Sequence, residues 1–392
     1  MVQMLVGKGA DKAALNTEGQ TPLVIAVILG KCAVAEALLD ENDDLGTHLH
    51  TAAVMGNVDM VQMLVSKGAD KTALNIEGRT PLMAAIRLGR CAVTEALLDD
   101  NDDLDAHLHT AAGLGNVDMV QMLVSKGADK DAVDSLGWTP LFLAAVMGFD
   151  AVAEVLFAAG ADASLRRDGV SALDMAAEYG NVRVLAVFVR CEVDVNDAGS
   201  MGTALHHAAR ESKQGAIDLL VAAGANTEAR DINGCTPLHT AAEEFGLRAA
   251  VALLKRGAVI NARDEDEQTP LHLAAGKAGM RGAVEMVDLL LRWGADETAT
   301  DDSARTPAFI AGNNCCSDIE EVGAVERIRK LLADAPADRA WRRRGLLVAS
   351  RTRPQMVLLG TSTRSRAGWM DLMGRVLGLV EEGVFRTIVG YL

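Results

Sequence analysis

Thr269-Pro270-Leu271-His272-Leu273-Ala274-Ala275 is one copy of a phrase that recurs throughout this chain of 392 residues. The phrase begins with Thr-Pro-Leu and runs into small residues. Clear copies start at Thr21, Thr80, Thr139, Thr236 and Thr269, and weaker copies start at Thr47, Ala106, Ser171, Thr203 and Thr306. Most successive starts lie 32 or 33 residues apart, and two intervals are 26 residues. Self-similarity at such a period indicates a repeat protein whose stacked units share one core.

Each unit has the pattern of two short helices. Thr before Pro starts the first helix, because the Thr hydroxyl can cap free backbone N–H groups and Pro fits the first helical position. Apolar residues at helical spacing predict a second helix, for example from Val58 to Ser66, and Gly68 is placed to end it. A polar turn then leads into the next unit. One helix pair cannot bury its apolar face alone, so we expect the units to stack.

The units resemble ankyrin repeats. The nearest copies of that family's motif are Thr-Pro-Leu-His at residues 236–239 and 269–272, and Gly-Ala-Asp or a near variant recurs at Gly68, Gly127, Gly160, Gly224, Gly257 and Gly294. The resemblance covers about residues 1–335. It implies an all-α solenoid of helix-turn-helix repeats with β-hairpin fingers, and a concave surface that binds partner proteins. It also implies that the motif's His hydrogen-bonds between repeats.

The predicted organisation is an ankyrin-repeat array over residues 1–335, followed by a basic, partly helical tail over residues 336–392. We place a partial repeat at residues 1–20, repeats starting near residues 21, 47, 80, 106, 139, 171, 203, 236 and 269, and a degenerate capping repeat at residues 306–335. In the capping repeat, the run from Asn313 to Cys316 interrupts the pattern before a helix predicted over about residues 325–333. Such terminal repeats shield the end of a stack.

Three units depart in length from the repeat. The two 26-residue units replace the finger with acidic turns, Asp40–Asp44 and Asp99–Asp103, so two fingers should be missing. The unit starting at Thr269 carries extra residues around Lys277 to Arg281, which we place in the loop between its two helices. The acidic turns lack the Gly and Glu positions of a calcium-binding loop, so we interpret them as solvated turns.

The two ends of the chain carry further signals. The stretch Met1–Val6 recurs at residues 60–65 and 119–124, inside predicted second helices, so we expect the chain to be truncated or frayed at its start. Residues 336–392 hold ten Arg and four acidic residues and so carry a net charge of +6. Because the whole chain carries −16, residues 1–335 carry −22. Because apolar residues are interleaved with this charge, including a helical face from Trp369, we expect the tail to pack against the last repeats.

Composition limits the classes of function. Hydrophobic residues make up 49% of the chain but aromatic residues only 3%, which suits closely packed helices. The acidic array argues against nucleic-acid binding along its length, because that requires a positive face. The chain contains no apolar run long enough for a transmembrane segment. Its six Cys residues do not form a disulfide framework, so we expect an intracellular protein of the cytoplasm, with the nucleus as the alternative.

The candidate chemical groups favour a structural interpretation. The chain has eight His residues. Six lie in the Thr-Pro-Leu-His tetrad or its degenerate copies: His48, His50, His109, His206, His239 and His272. The other two, His107 and His207, adjoin the tetrad. No Cys–His spacing matches a zinc site, and the Cys residues lack partners in a catalytic arrangement. We therefore expect no metal, no cofactor and no enzymatic activity.

We predict that the protein is an interaction scaffold or adaptor that binds other proteins. The alternative is a substrate-recognition adaptor of a larger enzyme complex, such as a ubiquitin ligase, that docks through residues 336–392. No recognised docking motif of such adaptors occurs in the tail, so this alternative depends on architecture alone. The sequence leaves the partner and the oligomeric state open.

The candidate partner-binding residues follow the Ala-rich segment of each first helix, where the resemblance implies variable, inward-facing positions. Apolar residues dominate these positions up to Met147, and charged residues dominate from Glu178. Trp138, on a finger, is added because aromatic residues are enriched at interface hot spots. The full candidate set is Leu29, Met55, Arg87, Leu88, Leu114, Trp138, Met147, Glu178, Tyr179, Arg210, Glu211, Glu243 and Glu244.

Overall fold

The structure, a computed structural model, describes residues 11–313 and 323–335. In each unit an inner helix, which carries the Thr-Pro-Leu phrase, precedes an outer helix. The inner helices are α1 (Pro22–Ile28), α3 (Leu45–Met55), α5 (Pro81–Arg87), α7 (Leu104–Leu114), α9 (Pro140–Met147), α11 (Ala172–Tyr179), α13 (Ala204–Arg210), α15 (Pro237–Glu243), α17 (Pro270–Gly276) and α19 (Pro307–Asn313). The outer helices are α2 (Cys32–Leu38), α4 (Val58–Ser66), α6 (Cys91–Leu97), α8 (Val117–Ser125), α10 (Asp150–Ala158), α12 (Val182–Arg190), α14 (Gln214–Ala222), α16 (Leu247–Lys255) and α18 (Ala283–Trp293). Helix α20 covers residues 323–335.

The helices stack in two parallel rows. Each inner helix packs against the inner helices before and after it, and each outer helix packs against its outer neighbours. The small residues predicted from the sequence line this contact: Leu49, Ala52 and Ala53 are completely buried. Because such side chains are short, successive helices approach closely, and shortening Leu49 to Ala would cost about 2–5 kcal/mol. The predicted all-α solenoid is confirmed.

Two kinds of cap start the inner helices. At Thr21, Thr80 and Thr139 the Thr hydroxyl accepts a hydrogen bond from the backbone N–H three residues later, and Pro occupies the first turn. At Thr203, Thr236 and Thr269 the backbone N–H donates in return to the ring of a His. Caps of this kind are worth about 1 kcal/mol each, so the recurring Thr fixes where each repeat begins.

The same His residues join successive repeats. Nε2 of His206 and of His272 lies 2.9 Å and 3.2 Å from a backbone carbonyl oxygen of the next finger. His109 makes the equivalent contact with the Trp138 carbonyl at 2.8 Å. His50 instead reaches the carbonyl of Ala73, in the turn before the next finger, at 2.8 Å. The predicted bridging role is therefore confirmed for His109, His206 and His272. It is wrong for His48, which takes the position of Pro in the phrase and whose buried ring makes no hydrogen bond among the described residues.

The two 26-residue units start their inner helices differently. Helices α3 and α7 begin two residues before the Thr47 and Ala106 starts expected from the sequence, and each has 11 residues, whereas α1 and α5 have seven. The caps are Asp44 and Asp103, whose carboxylates accept from backbone N–H groups three residues later. The acidic turns thus connect an outer helix directly to an inner helix, and no finger stands there.

The remaining described units have a finger before the inner helix. A typical finger closes with the hydrogen bond from Asp264 N–H to the Gln268 carbonyl, 3.0 Å long. Regular strands occur in one of the described fingers, where β1 (Arg166–Arg167) pairs antiparallel with β2 (Val170–Ser171). Its loop is Asp168-Gly169, and both residues have positive φ, as two-residue hairpin turns require.

The end of the array follows the sequence in part. The extra residues of the Thr269 unit lie between α17 and α18, as predicted. By its contacts the array ends at Leu332, and the proposed domain boundary at residue 335 stays a prediction. The expectations for the chain start at Met1 and for the tail at residues 336–392 lie outside the described residues. None of the described helices has the length and apolarity needed to cross a membrane.

Candidate partner-binding surface

The inner helices present one residue each at a repeated position, and this residue is exposed in every unit except at the half-buried Lys277. This position lies eight residues after the Thr, or its replacement, that starts the unit, and we call the set the inner row. Its members are Leu29, Met55, Leu88, Leu114, Met147, Tyr179, Glu211, Glu244 and Lys277. The six apolar members are 38–61% exposed, and Glu211 and Glu244 are exposed as well. Exposure follows from position, because each residue stands at the end of its helix, where the chain turns away from the core.

The ends of these helices explain that position. Met55, Leu114, Met147 and Tyr179 are the last residues of their helices, and each precedes a left-handed Gly that caps the helix. A left-handed Gly ends a helix because it has no Cβ to clash. The side chain before this Gly therefore lies at the rim of the stack. It follows the two consecutive, fully buried Ala residues of its helix, such as Ala52 and Ala53.

The charged candidates are partly engaged within the array. Glu178 lies 2.8 Å from Nδ1 of His207, and Glu243 lies 3.1 Å from Nζ of Lys277. Both contacts join one repeat to the next. Arg210 is half-buried and Arg87 is exposed, and neither takes part in the ion pairs of residues 11–313 and 323–335. The same is true of Glu211 and Glu244, so their charge is free to meet a partner.

Trp138 has a different environment from the inner row. Its ring lies 5.0 Å from the ring of Phe142, and the guanidinium of Arg167 lies 5.2 Å from its centroid. Its backbone carbonyl accepts the hydrogen bond from His109. The half-buried indole thus stabilises its own finger and the next one through stacking. A direct contact between Trp138 and a partner stays a prediction.

The titratable groups inside the array are shifted away from reactivity. Burial lowers the pKa of His239 to about 4 and also lowers the pKa of His206 and of His272. Burial raises the pKa of the Cys235 thiol to about 12. At pH 7 these three rings are therefore neutral and this thiol is protonated. Within residues 11–313 and 323–335, no cluster of His, Cys, Asp and Glu side chains could hold a metal ion.

A second exposed apolar set lies on the fingers and was not selected from the sequence. Leu15, Leu74 and Val133 are each about two-thirds exposed, and Ile76 is fully exposed. Leu15, Leu74 and Val133 lie six residues before the Thr of their units. These apolar residues are visible in the sequence as exceptions, because turn segments are ordinarily polar. The recurrence of an apolar residue at one position becomes clear only when the fingers are aligned with one another.

Comparisons with known proteins agree with this architecture. The family profile described as "Ankyrin repeats (3 copies)" matches residues 1–75, 46–107, 101–167, 173–264 and 217–301. The chain belongs to the ankyrin repeat family. Ankyrin repeats are a protein–protein interaction module, and the fold is an interaction scaffold rather than an enzyme fold.

The curated relatives match this chain over part of its length. Mitochondrial disaggregase of Bos taurus is 41% identical over 139 residues, which is 34% of this chain and 20% of the relative. Ankyrin repeat domain-containing protein SAT10 of Stachybotrys chartarum is 30% identical over 241 residues, 57% of this chain and 12% of the relative. The B-cell lymphoma 3 protein homolog of Mus musculus is 32% identical over 163 residues, 37% of this chain and 36% of the relative. The chain thus spans about a third or less of the length of these relatives.

One solved structure is similar along part of the array. It is the crystal structure of the ankyrin repeat domain of Bcl-3, described as a unique member of the IkappaB protein family. The sequence identity is 29% and the TM-score is 0.47, and the match covers 58% of this chain and 100% of that one.

Proposed function

We propose that this protein is a scaffold or adaptor that binds a partner protein along the inner row. The observation that carries the proposal is the exposure of six apolar side chains, from Leu29 to Tyr179, at the same position of consecutive units. An exposed apolar set that is continuous over several units is typical of an interaction site, whereas single exposed apolar residues are ordinary.

The chemistry of the row constrains the partner. Beyond Tyr179 the row continues with the exposed carboxylates of Glu211 and Glu244. We infer a partner segment with apolar anchors at one end and basic residues at the other, because opposite charges steer and orient a complex. Met55 and Met147 suit such a site, since the flexible Met side chain adapts to different contact shapes.

A purely structural role for these residues is the competing interpretation. In long arrays, many Leu and Met side chains pack between neighbouring helices. The six apolar members keep more than a third of their surface exposed, and this supports the binding interpretation. The location inside the cell, cytoplasmic or nuclear, is part of the same proposal and is supported by the free thiols of Cys32, Cys91, Cys191 and Cys235.

The proposal is tested with one pair of substitutions and a matched control. Partners are first captured with the full chain and with a chain ending at residue 335, and those that bind both are kept. Changing Met147 and Tyr179 together to Ser should weaken binding by roughly 2 kcal/mol or more in calorimetry. The control changes Val182 and Trp293, two apolar residues of similar exposure on outer helices, to Ser. Equal affinity of both variants, with circular dichroism unchanged, would place the partner elsewhere.

A further inference from the structure

The last three described fingers, at residues 231–235, 264–268 and 301–305, are hydrogen-bonded to one another. The backbone N–H of Glu265 donates to the Asn233 carbonyl at 3.2 Å, and the N–H of Asp302 donates to the Asp266 carbonyl at 3.1 Å. Side chains reinforce these links: the guanidinium of Arg230 reaches the carbonyl oxygen of Arg263 at 2.7 Å. Among these three fingers, each finger therefore closes the edge of the finger before it.

The first half of the array lacks this continuity. Its fingers at residues 16–20, 75–79 and 134–138 alternate with the two units that have only an acidic turn. We call the space between the first two fingers gap 1 and the space between the last two gap 2. The alternation leaves each of these fingers without the neighbour that it would have in the second half.

Each gap has an unpaired backbone group on both walls. In gap 1 the carbonyl of Glu18 occupies the position equivalent to Asn233, and the N–H of Ile76 occupies the position equivalent to Glu265. In gap 2 the corresponding groups are the Glu77 carbonyl and the Ser135 N–H. Among residues 11–313 and 323–335, none of these four groups makes the link between fingers that the second half makes. They present the same donors and acceptors as an unpaired sheet edge.

The width of a gap selects what can fill it. Packed helices lie about 8–10 Å apart, so one missing finger leaves a space of that width. Two strands at about 4.8 Å each fill it, and both of their outer edges can then pair with the walls. A helix has its backbone groups already bonded internally, so it would leave the walls unpaired. The tip of a β-hairpin satisfies both walls.

The lining of the gaps specifies the chemistry of that hairpin. Leu15 and Leu74 occupy the position at which Arg230 reaches toward the following finger, so they face gap 1 and gap 2 respectively, and both are exposed. The acidic turn Asp40–Asp44 replaces the finger of gap 1 and holds four carboxylates, of which Asp40 pairs with Lys12 at 2.7 Å. The turn of gap 2 repeats this arrangement, with Lys71 on Asp99 at 2.7 Å. The other three carboxylates of each turn form no ion pair with the described residues, so most of the negative charge of the turn is available to a ligand.

We propose that each gap is a docking site for the tip of a β-hairpin of a partner protein, with apolar residues on its flanks and Lys or Arg at its turn. The hairpin takes the place of the missing finger and continues the row of fingers by strand addition. The two gaps are equivalent and lie one finger apart, so a partner with two such hairpins would bind both with a gain in avidity.

Charge argues against a second copy of this chain as the occupant. Its fingers at residues 16–20 and 75–79 carry Glu18 and Glu77 near their tips, and these would face the carboxylates of the acidic turns. Its basic hairpin, β1–β2, is already engaged within the array: Arg166 pairs with Asp174 and Asp197, and Arg167 lies over the ring of Trp138. Like charges in contact disfavour a wrong partner by several kcal/mol. A basic hairpin has the opposite sign and is favoured by the same field.

The test uses a short, disulfide-closed hairpin peptide with Lys on each side of an Asn-Gly turn and Val and Leu on the flanks. It is added to the full chain, and amide hydrogen exchange is followed by residue. We expect the amides of Ile76 and Ser135 to slow by about tenfold or more. A linear form of the peptide and a form with Glu in place of Lys serve as controls and should protect neither amide.

A second variant closes one gap only. Residues 40–46 are replaced by a segment copied from residues 222–235, which adds seven residues and restores the 33-residue unit in place of the acidic turn. Ile76 should then be protected without peptide, while Ser135 should still need the peptide, so gap 2 controls for gap 1 in the same molecule. The proposal fails if the peptide does not bind, if the Glu form binds equally, or if closing gap 1 leaves Ile76 unprotected and peptide binding unchanged. Protection that rises with chain concentration alone would assign the gaps to a second copy instead.

This inference and the inner-row proposal can fail separately. Met147 and Tyr179 lie outside both gaps, so their double Ser variant should bind the hairpin peptide with unchanged affinity. Loss of peptide binding in that variant would contradict the assignment of the hairpin to the gaps.

Discussion

Nε2 of His239 lies 3.1 Å from the carbonyl oxygen of Gln268, the last residue before the next repeat begins at Thr269. Nδ1 of the same ring accepts a hydrogen bond from the backbone N–H of Thr236. Nε2 must therefore carry the ring proton and donate it to the carbonyl, so the bridge requires a neutral imidazole. A second proton would break the cap on Nδ1 and place a charge in the core.

This bridge predicts a pH dependence of stability. Burial lowers the pKa of His239 from 6.5 to about 4, so between these values the unfolded chain binds more protons than the folded chain. The stabilisation is complete above pH 6.5 and is lost as the pH falls toward 4. The loss from this residue is about 3 kcal/mol, since each pKa unit corresponds to about 1.4 kcal/mol. His206 and His272, whose pKa values burial also lowers, contribute with the same sign.

Urea unfolding of the full chain at a series of pH values between 4.5 and 7 measures this effect. We expect the midpoint to fall with pH, and His239→Gln to be less stable at pH 7 but less sensitive to acid. The His107→Gln variant is the comparison, because burial also lowers the pKa of that ring but the ring does not bridge to the next finger. Both variants should lose acid sensitivity, and only His239→Gln should also lose the bridge at pH 7. If the urea midpoint falls equally with pH in the presence and absence of His239, the neutral His239 bridge is not the source of the acid sensitivity.

The side-chain amides of Asn57 and Asn116 clamp pairs of repeats. Nδ2 of Asn57 donates to the carbonyl oxygens of Val27 and Ile28 at 3.0 Å and 3.1 Å, at the end of the preceding inner helix. Asn57→Asp should destabilise the array by about 1–3 kcal/mol, because a carboxylate cannot donate and would face two carbonyl oxygens. Thermal unfolding measures this, with the exposed Asn101→Asp as control. Equal melting temperatures of the two variants would contradict the clamp.

These residues show how far the sequence predicts the structure. The recurring Thr-Pro-Leu gives the helix starts, the stacking and the missing fingers, because caps and apolar spacing are local properties. The clamp is not local: its donor and acceptors are 29 and 30 residues apart. The Gly-Asn pattern at Asn57 and Asn116 is visible in the sequence, but its function depends on how neighbouring units pack.

The candidate binding residues show the same limit. The exposed position of the inner row follows from the end of each helix, so its members could be named from the sequence. The environment of Trp138 could not, because Arg167 and Phe142 reach it from another finger and from the next helix. Helices α3 and α7 begin two residues earlier than predicted from the sequence, because Asp44 and Asp103 cap them instead of a Thr.

The thiols of Cys191 and Cys235 should differ in reactivity. Cys191 is exposed, while burial and neighbouring carboxylates raise the pKa of Cys235 to about 12. Because the thiolate is the reactive form, iodoacetamide at pH 8 should label Cys235 at least about tenfold more slowly than Cys191. Peptide mapping by mass spectrometry gives both rates in one sample. Comparable rates in the folded chain would show that Cys235 is not shielded, and labelling in urea provides the unfolded reference.

Asp103 in the second acidic turn should stabilise the fold as a helix cap rather than through its charge. Asp103 accepts from the N–H of Ala106 at 3.0 Å and starts helix α7. Asp103→Ala should cost about 1 kcal/mol, whereas Asp103→Asn should cost much less, because Asn caps helices about as well as Asp. Urea unfolding compares the two variants. If Asn is as destabilising as Ala, the negative charge and not the cap determines the stability of this turn.

The exposed carboxylates of the inner row should control the rate of binding. Glu211 and Glu244 form no ion pair with the described residues, and a partner with a basic end would be steered by them. Changing both to Lys should slow association by about tenfold and flatten its dependence on salt, while dissociation changes less. The control changes Asp59 and Glu285, exposed acidic residues of outer helices, to Lys, which gives the same net charge in a different place. Stopped-flow measurements at several salt concentrations compare the two variants. If they slow association equally, the overall negative charge attracts the partner, and the acidic end of the inner row does not orient it.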